Sequence, residues 1–175
     1  MGRSLRTLVL LLHISSSVGW MGAIAAFLAL TIMGLTTDEP VVVYGAYVGM
    51  YWMGWFVLVP LSFASLLTGL IQSLGTEWGL FRHYWIIAKL LINLLANTVL
   101  LLYMFELGSL VAGLATSAGR DAVMSPSPLL HASSALGLLL TATVLAVYKP
   151  RGITPYGWRK QQERRKLRGR QLESP

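Results

Sequence analysis

LVLLLHISSSVGWMGAIAAFLALTIM, residues 8–33, contains no Asp, Glu, Lys or Arg. At 1.5 Å of rise per residue, a helix of that length reaches past the roughly 30 Å hydrocarbon core of a bilayer. The rest of the chain repeats the signature, and apolar spans are expected over residues 7–33, 42–72, 84–106 and 128–148. Hydrophobic residues make up 55% of the 175 and charged residues 12%, with a mean hydropathy of +0.62. The charged share is about half that of a soluble domain. Short connections between the spans predict an all-α membrane protein, four transmembrane helices in an up-down-up-down bundle over residues 1–150, with a basic tail over 151–175. The first apolar run continues to Leu35, past the length of a signal-peptide core, so that span is expected to be retained.

The net charge of +7 is unevenly placed. Nine of the fourteen Lys and Arg lie at or beyond Lys149, Arg3 and Arg6 precede the first span, and Arg82 lies between the second and third. The connection TTDEP (36–40) has no basic residue, and the one after the third span has Arg120 beside Asp121. Basic residues stay on the cytoplasmic side during insertion, so both termini are expected in the cytoplasm. A basic tail next to a membrane suits anionic lipid headgroups, at about 1 kcal/mol per charge, rather than nucleic acid. Within it KPRG and ITPYGW are rich in turn formers, whereas WRKQQERRKLRGRQLE (158–173) is expected to form a short polar helix.

Three further local features carry expectations. Small residues at Ser15, Gly19, Gly22, Ala26 and Ala29 form a stripe of the kind that lets helices approach closely in membranes. Tyr44, Tyr47, Tyr51, Trp52 and Trp55 suit a membrane interface, and Pro60 is expected to kink the second span.

Cysteine is absent, which excludes disulfides, thiolate catalysis and Cys-ligated metals. Ionisable residues within the spans are few: His13, Lys89, His131 and, at a span end, Glu106. Such residues are costly in lipid and face a bundle interior or a cavity. His13, Ser16, Ser17 and Trp20 share one face of the first span; Trp85, Lys89, Asn93 and Asn97 share one face of the third. The two stripes are expected to face each other. His13 and Lys89 each lie roughly 7–10 Å above the cytoplasmic end of their helices, whereas His13 and His131 are separated by roughly 20 Å along the membrane normal. One ligand can therefore meet His13 and Lys89 together, but not His13 and His131. Simpler roles stand beside these: a packing hydrogen bond for His13, snorkelling to headgroups for Lys89, interhelical bonding for Asn93 and Asn97, space filling for Trp20.

The spacing from His13 to Trp20 and the continuation WMGA (20–23) resemble the first helix of the HemJ-type protoporphyrinogen IX oxidases, small bacterial membrane proteins that bind haem b. Their lysine-bearing helix is similar to WIIAKLL (85–91). The stretch AIAAFLALTIM (23–33) differs in lacking an arginine found there in that family. As a whole the chain, through LAVYKPRGITPYGWRKQ (145–161) and its AKLL helix, looks more like an uncharacterised bacterial family of four-helix integral membrane proteins in the same broad grouping. The resemblance implies a bacterial plasma-membrane protein, His13 and Lys89 as haem-iron ligands, and Trp20, Ser16, Ser17 and Asn93 as the cofactor's surroundings.

The leading expectation is thus a haem-b-binding membrane protein with a redox, haem-handling or porphyrin-oxidising role, which would make it a haem-dependent oxidoreductase if it catalyses. A non-enzymatic scaffold or partner subunit, as a homo-oligomer or beside another membrane protein, is the alternative. A small transporter or channel component is the weaker one, because a single four-helix bundle needs oligomerisation to form a pore.

Overall fold

The computed structural model of the chain describes residues 2–75, 79–114 and 127–173. These form α1 (Arg3–Thr36), α2 (Pro40–Met53), a π-helical turn (Gly54–Leu58), α3 (Val59–Gly75), α4 (Tyr84–Leu114), α5 (Ser127–Tyr148) and α6 (Pro155–Glu173). Four helical runs, Arg3–Thr36, Pro40–Gly75, Tyr84–Leu114 and Ser127–Tyr148, are long and apolar enough to cross a membrane. Each contains the expected span and outruns it at one end or both; α4 continues past Glu106 to Leu114. The connection carrying Arg120 and Asp121 lies outside the described residues.

Helix ends follow local chemistry. Only Thr37, Asp38 and Glu39 separate α1 from α2, and Pro40 stands in the first turn of α2, where its missing N–H costs nothing. Pro60 does not end the second span. The backbone widens just before it, where Val59 N donates to Gly54 O in the i to i−5 pattern of a π turn, and the helix continues as α3. A proline ring conflicts with the carbonyl four residues back, and a π turn beside it rearranges that stretch of the ladder without breaking the rod. Gly54 also admits the side chain of Met104, which occupies the place a Cβ would take.

α1 packs against α2, α3 and α5, while α4 packs against α2, α3 and α5. Trp20, Ile24 and Phe27 of α1 meet Tyr47, Met50, Leu58, Tyr103, Met104 and Leu139 in one apolar core. The glycines mark the approaches: Gly19 lies against Leu61, Gly49 against Leu30 and Gly34 against Tyr47. Of the expected small-residue stripe, Gly19 alone packs inside the chain; Ser15, Gly22, Ala26 and Ala29 are exposed. The larger side chains of Trp20, Ile24 and Phe27 bury more apolar area and claim the inner face. Tyr47 likewise departs from the expected interface role and is buried, whereas Tyr44 and Trp52 are exposed.

The tail is pinned to the connection between α3 and α4. Thr154 N donates to Arg82 O at 2.9 Å, Tyr84 N donates to Gly152 O at 3.3 Å, and Ile153 bridges His83. The Thr154 hydroxyl donates to Phe81 O at 2.6 Å and accepts from Gly157 N at 3.1 Å, capping α6. The cap starts α6 at Pro155, three residues before the expected start at Trp158. Upstream, α5 closes with Lys149 in the left-handed region at φ 44°, its N–H on Leu145 O, and Pro150 prevents continuation.

Candidate functional site

A cavity of about 530 Å³ is lined by residues of all four spans, His13, Ser17, Trp20, Lys89 and Asn93 among them. His13 Nδ1 lies 3.1 Å from Ser65 O and 3.1 Å from Thr68 Oγ1. A carbonyl only accepts, so the ring proton sits on Nδ1 and Nε2 keeps its lone pair. The Thr68 hydroxyl itself donates to Ala64 O at 2.6 Å, which leaves its oxygen to accept from the imidazole. Gly69 makes room for the ring: a Cβ there would stand 3.0 Å from His13 Cε1. Ser17 Oγ and Ser65 Oγ are 2.8 Å apart. The polar face of α1 is thus closed by hydrogen bonds to α3, while Lys89 and Asn93 of α4 line the same cavity.

The other expected site residues divide. Trp20 is 2% exposed, its indole N–H has no partner among the described residues, and it lines this cavity and a second one. Asn93 Nδ2 bonds back to Lys89 O, and Asn97 Nδ2 to Asn93 O, which ties the α4 stripe to its own backbone. Ser16 is buried and donates to Leu12 O at 2.7 Å; it is outside the cavity wall. Among the described residues, the wall has three cations, Arg6, Lys89 and Lys149, and no acidic residue. Among the described residues no cluster of three or more His, Cys, Asp or Glu could hold a bare metal ion.

Ser65, Thr68, Gly69, Arg6 and Lys149 escaped the sequence reading as site residues. The signal for the first three was available, since SFASLLTG (62–69) spaces small and polar residues at helical intervals.

The second cavity, about 240 Å³, is lined by Trp20, Phe27, Leu58, Tyr103 and His131 with mostly apolar neighbours. His131 Nδ1 donates to Ser127 O at 2.8 Å, and Ser127 Oγ donates to Glu106 Oε1 at 3.3 Å. The Tyr103 and His131 rings stack with centroids 4.6 Å apart. The chain matches no family model, no curated protein and no solved structure.

Proposed function

We propose that this is a haem-b-binding integral membrane protein of the bacterial plasma membrane, with a redox, haem-handling or porphyrin-oxidising role centred on the His13 cavity. One observation carries the reading: His13 and Lys89 line a single cavity of cofactor size, and His13 has committed Nδ1 to Ser65 while Nε2 keeps its lone pair. Ligand histidines characteristically spend their second nitrogen in this way.

The donor set supports the fit. Among the described residues it is too sparse for a bare ion, but would suit an iron that arrives within a macrocycle and needs few protein partners. His13 and the Lys89 amine would be those partners. Arg6 and Lys149 offer positive charge for the macrocycle's carboxylates, and Trp20 with its apolar neighbours offers flat packing surface. Ser17 and Asn93 line the same wall, whereas Ser16 would act only from behind His13. When bound, haem supplies one-electron chemistry at iron. The chain's own residues position the group, exclude water and hold the Nδ1 proton.

An alternating up-and-down order with both termini in the cytoplasm completes the reading. Its support is the opposed numbering of the contacts Gly19–Leu61, Leu30–Gly49 and Gly34–Tyr47, together with basic residues at Arg3, Arg6, Arg82 and along α6. α6 would then face anionic lipid headgroups.

The test is an absorption spectrum of detergent-purified protein expressed with a haem precursor, oxidised and reduced. Stoichiometric haem b that shifts or collapses in folded His13→Ala and Lys89→Met is the expected result. A colourless, folded wild type that also fails reconstitution overturns the proposal.

A further inference from the structure

We propose that the His13 cavity is a binding site for an anionic phospholipid of the two-phosphate, cardiolipin type, its phosphates held by Arg6, Lys89 and Lys149 and its chains leaving between α1 and α5. The inference does not rest on haem; the two occupants would draw on the same cations and so exclude each other. Arg6 lies in the first turn of α1, Gln72 and Ser73 near the end of α3, Trp85 and Lys89 within the first two turns of α4, and Lys149 just past α5, and all six line the cavity. Its charged groups are thus gathered where those four helix ends meet. Neither Arg6 nor Lys89 has an ion pair among the described residues, and the described wall offers no carboxylate to supply one. Three positive charges without a negative one call for an anion, and two phosphates balance them better than one. Basic pockets between membrane helices take such head groups.

Shape selects a lipid over a free anion. On α1 the wall runs from Arg6 to Met21, roughly 22 Å at 1.5 Å per residue, about the depth of one bilayer leaflet. Arg6 and Lys149 stand at the charged end, and Lys89 is roughly 8 Å along α4 from its first residue. Farther in, the lining is apolar on the side of α5, with Val18 and Met21 from α1 and Leu139 and Ala142 from α5. The hydroxyls of Ser17 and Ser65 are spent on each other. The cavity is also open to the bilayer, because Ile14 and Val18 belong to its wall and are 50% and 58% exposed. Thr143 Oγ1 lies 3.9 Å from Met21 Sδ, where α1 and α5 touch; Ile14, Val18 and Ala146 line the cavity between that contact and the charged end. A head group can therefore enter sideways from one leaflet while its chains stay along the seam of α1 and α5. A free phosphate would meet the cations and leave this apolar wall uncovered.

The experiment is native mass spectrometry of the full chain in detergent, purified without added haem and titrated with cardiolipin, phosphatidylglycerol or phosphatidylcholine. One cardiolipin should bind saturably and more tightly than phosphatidylglycerol, with phosphatidylcholine weakest. Because α6 is basic too, two double variants, each removing two charges from exposed positions, separate the sites. Arg6→Gln with Lys149→Asn should weaken the first cardiolipin at least tenfold; asparagine suits the left-handed backbone at 149. Arg164→Gln with Arg165→Gln, on α6, should change it less than twofold. Both proteins should keep the wild-type helical circular dichroism. Equal weakening in the two variants, no weakening in the first, or equal affinity for phosphatidylcholine overturns the proposal. So does displacement of the lipid by millimolar inorganic phosphate, which would make the occupant a free anion. No arm contains haem, so a negative result here is separate from a colourless protein in the haem test.

Discussion

Ser65 serves His13 through its backbone and Ser17 through its side chain, and the two roles separate by mutation. Ser65→Ala keeps the carbonyl that fixes the imidazole proton, so bound haem should be retained, at a stability cost of about 1 kcal/mol for the lost hydroxyl pair. Gly69→Ala acts on the ring itself. Its methyl would stand 3.0 Å from Cε1, so the imidazole must yield by a few tenths of an ångström. Helical circular dichroism should survive, while haem content and band position change; an unaltered spectrum would show that the ring's placement is irrelevant to the cofactor. His13 was legible in the sequence because a histidine in an apolar span is rare and its helical companions are polar. Its anchor was not, because a backbone carbonyl leaves no trace in residue identity.

At the scale of elements, the four spans could be read from length and hydropathy alone, since lipid solvation sets both. The π turn could not, because it answers two features of opposite sign, the ring of Pro60 and the empty side of Gly54 into which Met104 fits. Filling that side with Gly54→Ala forces the fully buried Met104 to move, which should destabilise the protein by about 1–3 kcal/mol in a thermal or denaturant melt. In α6 the cap is the telling feature. Thr154→Val removes the hydroxyl shared by Phe81 O and Gly157 N, at about 0.5–2 kcal/mol, and should raise amide exchange along residues 154–158 before any other element loosens. The i,i+3 pair Lys160–Glu163, at 2.9 Å, is a weaker tie. Its hydrogen bond holds the Glu163 carboxyl below the usual carboxylate range, so its contribution is present at neutral pH and lost as pH falls through that lowered value. Both side chains are exposed, and Glu163→Gln should leave the melting temperature unchanged at pH 7.

Over the whole molecule, charge is segregated. The described cavity wall around His13 carries Arg6, Lys89 and Lys149 without a carboxylate, and α6 adds a basic surface beyond it. Amide protection of α6 should therefore be greater in anionic than in neutral nanodiscs, and the difference should shrink as salt rises; equal protection in both would separate the tail from the lipid. The segregation is a property of the sequence itself, and helical rise, a one-dimensional measure, set His13 and Lys89 at one level; both line one cavity. The α1 stripe and the stripe of the third span were set facing each other, and residues of both line one cavity, but the hydrogen bonds of α1 run to α3; which neighbour a helix face bonds depends on side-chain volumes summed over several helices. The pinned tail has one more implication, and it is mechanical. α5 hands over to α6 through a short link, yet the segment ahead of α6 is clipped by Gly152, Ile153 and Thr154 to residues 81–84. A load applied to the tail is consequently delivered to the root of α4, the helix that carries Lys89, with α5 bypassed as the lever.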